Sequence, residues 1–469
     1  MKTQSRKLSS KLTGTLVTLV IASVICGCER SRTARTDSET KSVAAPDPLS
    51  IIVALHAGTT RIDAEIRERQ ERLRAKADVE MNLERLGWLF VGKARETFDP
   101  GFYKLAEQCA LALDARKAGS PEALLLRGHA LQSQHRFQEA ESLARELVKV
   151  RGLAFDHGLL GDILVDVGRV DEAVSSYQTM LDLKPDPQGY TRAAHVRWLK
   201  GDLTGALDLM RMAARGASPR DAESAAWMHT QLARYLWQSQ KEDEASRTLE
   251  FALEFQTNYA PALLLRGRML LSAGKSDLAI ESLRVAARIN PLPEYHWVLA
   301  EALRETDREE EARSLESQIA RSGASSDPRT CALFLATRNE NADTALQLAQ
   351  AELESRTDVF THDALAWAFA AAGNIDEARN HMSRALAEGT QDARLFFHAA
   401  VIAARAGCSA EAQDWFGKAA NFESQLLPSE VAQFRAAASS LDLTTLTRPP
   451  IEAPQNFPAL VNESTALEK

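Results

Sequence analysis

Aromatic residues and cysteine are both scarce in this chain: Phe, Tyr and Trp make up 6% of 469 residues, and cysteine occurs five times. After Cys28 only Cys109, Cys331 and Cys408 follow, an odd number set too far apart for a zinc site or a disulfide framework. They read as small core or turn residues. Low aromatic content beside 26% charged and 45% apolar residues is the Ala- and Leu-heavy profile of stacked amphipathic helices and excludes a strand-dominated fold. His-Glu-x-x-His, Gly-x-Ser-x-Gly and Gly-x-Gly-x-x-Gly occur nowhere. Without those signatures for metal, acyl-transfer or dinucleotide chemistry, the chain is expected to be non-catalytic, with no cofactor and no metal. Gly274-Lys275-Ser276 lacks the partner glycine of a phosphate loop, since Met269 stands there. No apolar run is long enough for a comfortable membrane span.

What is present at the N-terminus is a targeting segment: Lys2, Arg6, Lys7 and Lys11 precede the short apolar stretch Leu12 to Ile25. Ile25-Cys26-Gly27-Cys28 then resembles the lipobox of bacterial lipoproteins. The resemblance implies cleavage after residue 27, lipid attachment at Cys28 and a periplasm-facing place in the bacterial cell envelope. Glu29, rather than the Asp that retains some lipoproteins at the inner membrane, favours the outer one. The net charge is −8; residues 1–27 carry four positive charges and no negative ones, so the chain without them carries about −12. That balance disfavours a nucleic-acid partner. Residues 28–50 are polar and Ser/Thr-rich, as a flexible tether requires.

The body is periodic. Alanines at 106, 140, 173, 206, 245, 279, 312, 345, 378 and 412 recur at intervals of 33 or 34 residues, with one interval of 39. About twelve residues before most of them stands a second small residue, such as Gly128, Gly161, Ala194, Ala233, Gly267, Ala300, Ala366 or Ala400. Two small residues on successive helices let an antiparallel pair pack closely. Between them Gly168, Gly201, Gly274, Gly373 and Gly407 mark a left-handed helix end. Glu139, Glu172, Glu244, Glu311, Glu377 and Glu411 sit at the start of the second helix, where the macrodipole favours an acid. Prolines fall at junctions and spare helix interiors.

These residues resemble the tetratricopeptide repeat. The unit from Ala154 to Pro187 carries Leu160-Gly161, Leu164, Gly168, Ala173, Tyr177 and Pro185 at the matching places, and the unit from Ala260 to Pro293 matches nearly as well. The resemblance implies an all-α right-handed superhelical solenoid of about ten helix pairs over residues 83–422. Around it are expected an N-terminal helical cap (51–82), a C-terminal capping helix (423–440) and a disordered tail (441–469). Departures fall at Gly216 to Glu223, where the spacing stretches, and at Arg338 to Asp343, which lacks the turn glycine.

In such units the first helix lines the concave wall through positions 2, 5, 9 and 12. Those positions hold Trp198, Trp227, Trp237, Trp297 and Trp367 here, joined by Phe155, Phe360 and Phe397 and by Arg234 and Arg268. The stripe either lines a groove for protein or peptide partners, or for a glycan, or fills the core of the inner wall; the sequence leaves both standing. The family's carboxylate clamp, Lys at position 5 with Asn at position 9, is missing: the corresponding pairs read Leu125 and His129, Gly158 and Asp162, Thr191 and His195, and Thr230 and Arg234. The expected function is a non-catalytic envelope scaffold, anchored to the membrane by lipid alone.

Overall fold

A computed structural model describes residues 47–441 and 443, all helical or in short connections. The expected signal segment, Cys28, most of the tether and the tail beyond residue 443 lie outside the described residues. Two helices lead in, α1 (Pro48–Ile52) and α2 (Arg61–Arg74), followed by ten antiparallel pairs. These are α3 (Val79–Thr97) with α4 (Gly101–Arg116), α5 (Pro121–Ser133) with α6 (Phe137–Val150), α7 (Ala154–Asp166) with α8 (Val170–Leu183), and α9 (Pro187–Leu199) with α10 (Leu203–Arg215). Then come α11 (Ala222–Gln238) with α12 (Glu242–Phe255), α13 (Ala260–Ser272) with α14 (Ser276–Ile289), and α15 (Pro293–Arg304) with α16 (Glu309–Ser326). The last three are α17 (Pro328–Thr337) with α18 (Ala342–Ser355), α19 (Val359–Ala371) with α20 (Ile375–Ala385), and α21 (Ala393–Arg405) with α22 (Ser409–Ala420); α23 (Pro428–Ser440) closes the array. No described helix is long and apolar enough to cross a membrane.

The periodic residues explain this regularity. All ten recurrent alanines lie on the second helix of a pair, and each is fully buried against the first. A Cβ on Gly161 would strike the Tyr177 ring and one on Gly267 would strike Leu283, so the small partner residue is a steric requirement. Every pair turns through a left-handed residue: glycine in five pairs, and Phe98, His135, Gln240, Asp307 and Asn339 in the others. The two irregular places keep the pattern. A short 3-10 turn, Pro219–Asp221, absorbs the extra residues, and Asn339 and Asn341 replace the missing glycine. Six of the ten first helices start on a side-chain cap, as where Asp186 accepts from Gly189 N (3.0 Å) and Asp358 from Thr361 N (2.7 Å).

The acids before the alanines do more than face a dipole. Glu172, Glu244, Glu311 and Glu411 accept from Arg145, Arg211, Arg284 and Arg379 of the preceding pair. They lace the outer surface from unit to unit, each worth about 0–1 kcal/mol.

The superhelix is tight enough to meet itself. Turns of the early pairs touch the connections between later pairs at a nearly constant separation of 190 or 191 residues: Arg356 with Asp166, Thr357 Oγ1 donating to Val167 O, Thr390 Oγ1 to Leu199 O, and Gln391 Nε2 to Gly201 O. Gln240 Nε2 donates to Asn421 O in the same manner. Two superhelical turns thus stack edge on edge along a seam. Inside it, α23 lies on the inner wall: Ser429 N and Oγ donate to Glu301, Gln433 Nε2 donates to Thr337 O, and Phe434 packs against Phe397 and Phe416.

Candidate functional site

The inner wall holds the aromatic stripe, and most of it is covered. Trp198, Trp237, Trp297, Trp367 and Phe397 are buried, not open along a groove. Trp198 is stacked between His195 (5.7 Å) and Phe360 (5.8 Å) of the facing turn, so the seam itself covers it. Trp297 donates Nε1 to Glu301 (3.0 Å), meets Phe334 edge-on and lies under the Arg394 guanidinium at 5.0 Å. Trp367 donates to Thr337 Oγ1 (3.0 Å) and stacks on His398 at 4.1 Å, while His398 bonds Asp363. Arg268 is occupied too, paired with Glu294 and donating to Gln425 O. Helical spacing placed these side chains on the concave wall; the tight superhelix and α23 then seal that wall.

Three members of the stripe stay accessible. Phe155 is 41% exposed and Trp227 37%, both near the start of a first helix, and Arg234 is exposed. Next to Phe155, the rim of the first superhelical turn carries Val150, Leu153 and Leu183, each more than half exposed. This rim faces away from the seam.

The seam encloses a cleft of about 410 Å³. The first turn contributes Val165, Asp166, His195 and Leu199; the second contributes Arg329, Arg356, Asp358, Phe360, His362, Arg384 and Glu388. Arg356 is the hub, reaching Asp166 (2.6 Å), Asp358 (3.2 Å) and Glu352 (3.6 Å), with its guanidinium 5.4 Å from the Phe137 ring. Arg329 joins Asp358 at 3.0 Å, and Lys200 joins Glu388 at 2.6 Å. Burial raises the Asp166 carboxyl above the usual range despite Arg356. Burial also works on Asp358, but Arg329 and Arg356 outweigh it and hold that carboxyl low. The imidazoles of His195 and His362 are pushed down to about 4, chiefly by burial, so both are neutral near pH 7. His362 Nδ1 lies 3.1 Å from His381 Nδ1.

No group of three or more His, Cys, Asp or Glu suited to a metal occurs among the described residues. Cys109 and Cys331 are buried, and burial raises both thiols above their ordinary value. Gly274-Lys275-Ser276 is the turn from α13 to α14.

Family models described as tetratricopeptide repeat match residues 157–189 and 230–292. These segments hold two of the pairs with turn glycines and buried alanines described above. Both segments are tetratricopeptide repeats. None of the curated proteins matches it. Among solved structures, yeast Tom70 is 15% identical, covering 80% of this chain and 94% of its own, with a TM-score of 0.36. Human IFIT1 is 16% identical, covering 70% and 78%, with a TM-score of 0.46. The Pseudomonas aeruginosa pilF structure is 14% identical, covering 44% and 93%, with a TM-score of 0.37. Overlays this loose carry no functional argument.

Tetratricopeptide repeats are scaffolds for protein–protein interaction and are generally non-catalytic. In this one, the residues that sequence reasoning missed are those of the seam. Arg356, Thr357, Thr390 and Gln391 stand in connections between pairs, where the repeat pattern prescribes nothing. No sequence signal sets them apart, since the connection from α12 to α13, Gln256-Thr257-Asn258, carries the same hydroxyl and amide donors.

Proposed function

We propose that this protein is a non-catalytic scaffold, held at the bacterial envelope by a lipid on Cys28, that docks a protein or peptide partner on the rim of its first superhelical turn. The observation that carries this reading is the division of the apolar surface. The inner wall is filled by the chain itself, while Val150, Leu153, Phe155 and Leu183 remain exposed near the starts or ends of the consecutive helices α6, α7 and α8, and Trp227 remains exposed on α11. Apolar side chains gathered on one edge of a rigid scaffold suit the anchor residues of a partner. A glycan would need open tryptophan faces, and four of the five stripe tryptophans have none to offer. That reading has no observation in its favour.

Photo-crosslinking amino acids placed at Phe155 and at Trp227 test the proposal in the native envelope. A discrete protein adduct is expected from these positions and none from Leu278, an exposed residue on α14 away from the rim. Equal adduct patterns from all three would sink the rim as the docking surface. Cys28→Ser separates the tether from the scaffold: it should release the protein from membranes and leave the fold unchanged.

A further inference from the structure

Two imidazoles meet beside the seam in a way that packing of the repeat does not require. His362 on α19 and His381 on α20 face each other through their Nδ1 atoms, 3.1 Å apart, with ring centroids at 5.3 Å. That contact uses two of the four ring nitrogens, and neither Nε2 has a hydrogen-bond partner among the described residues. Phe369 stacks on His381 at 5.6 Å and fixes the plane of its ring. Burial lowers both imidazoles below their ordinary value, so near pH 7 each is neutral and keeps one nitrogen lone pair. Between two neutral rings, a single proton occupies the contact.

We infer that His362 and His381 together chelate a divalent late transition-metal ion, zinc or copper in kind, with water in its remaining positions. Imidazole nitrogen is a ligand these ions share, and neutral histidine is the form that binds. Two bonds of about 2.0–2.1 Å at a tetrahedral angle set their nitrogens about 3.3 Å apart. The pair therefore needs to spread by only about 0.2 Å and to tilt its rings toward one ion. The proton held at Nδ1 then moves to the vacant Nε2 of the same ring, and neither side chain changes charge. His362 lines the seam cleft, which gives the ion a way in. The ion-pair network there does not exclude a cation: it carries five carboxylates, Glu352 and Asp171 included, against Lys200, Arg329, Arg356 and Arg384. Nearer the pair, Glu377 lies one turn before His381 and favours positive charge at its ring, whereas Arg384 opposes it at both rings.

The test titrates Zn²⁺ into the full chain at pH 7 by calorimetry, with Mg²⁺, which takes oxygen ligands, as the control. Saturable one-to-one binding of Zn²⁺ is expected, and none of Mg²⁺. H362Q and H381Q should each weaken it roughly tenfold or more, since even the outer partners of metal ligands are worth that much. Two variants at exposed positions shift the affinity in opposite senses while leaving both imidazoles in place: E377Q should weaken binding and R384Q should tighten it. With Cu²⁺ as the probe, the electron paramagnetic resonance spectrum should show two coupled nitrogens in the parent and one in H381Q. The inference is overturned if the parent binds Zn²⁺ no better than Mg²⁺, or if E377Q and R384Q shift affinity in the same sense. It is equally overturned if H362Q and H381Q bind as the parent does, the result expected of a plain internal hydrogen bond with metal held at other histidines.

Discussion

Gly201 and Gly373 end equivalent first helices with the same φ of +81°, yet one lies in the seam and the other in open space. Replacing each by alanine isolates the seam. An L residue in the left-handed region costs about 1–2 kcal/mol, and that cost is common to both variants. At Gly201 the new Cβ would stand 2.5 Å from Gly389 O, whereas at Gly373 nothing lies within 4 Å. Relief at Gly201 requires the connection over residues 388–391 to retreat. That sacrifices the bond from Thr390 Oγ1 to Leu199 O (2.6 Å) and the bond from Gln391 Nε2 to Gly201 O (3.0 Å). At about 1 kcal/mol each, Gly201→Ala should be destabilised by roughly 2 kcal/mol more than Gly373→Ala. Urea unfolding followed by circular dichroism gives the global difference. Repeat arrays open in parts, so hydrogen exchange at Thr390 and Gln391 supplies the local one. Equal losses in the two variants, with unchanged exchange at the seam, would refute the closure of one superhelical turn on the next.

Trp297→Ala should cost about 3–5 kcal/mol, because the ring is buried beneath Arg394 and beside Phe334, whereas Trp227→Ala, whose ring is 37% exposed, should cost less, about 1–2 kcal/mol. Similar denaturation midpoints for the two would mean that the inner wall is open after all. Tyr177→Phe removes the donor to Asp162 (2.8 Å) but leaves its bidentate partner Arg192, so a loss of about 1 kcal/mol is expected in the same assay. Stability should also decline with acidification: His195 and His362 titrate near 4 when folded and near 6.5 when unfolded, so the unfolded chain takes up protons first. The stability present above pH 6.5 is then lost progressively toward pH 4. A flat urea midpoint between pH 7 and pH 5 would contradict the burial of these imidazoles.

Much of this architecture is legible from spacing. The ten alanines mark ten second helices because a Cβ larger than a methyl group cannot fit where two helices of a pair touch, and that constraint repeats with each unit. Turn positions are legible where glycine occupies them, less so where Asp307 or Asn339 does, and obscure where Phe98, His135 or Gln240 adopts the same backbone, since those three carry no signature of a left-handed conformation. The aromatic stripe is legible as a row on one helical face. Its exposure is not, because whether Trp198 sees solvent depends on Phe360, far away in the sequence and one superhelical turn on.

The sequence by itself determined the fold class, the number of pairs and the face on which each large side chain stands, since all three follow from contacts within one repeat or between neighbours. Only the tertiary structure decided what covers that face. Superhelical closure is set by small rotations accumulated over several units, and no local pattern encodes their sum. That sum turned Trp198, Trp237, Trp297 and Trp367 from a groove into a core, left Phe155 and Trp227 at the rim, and brought His195 and Arg384 to the same cleft.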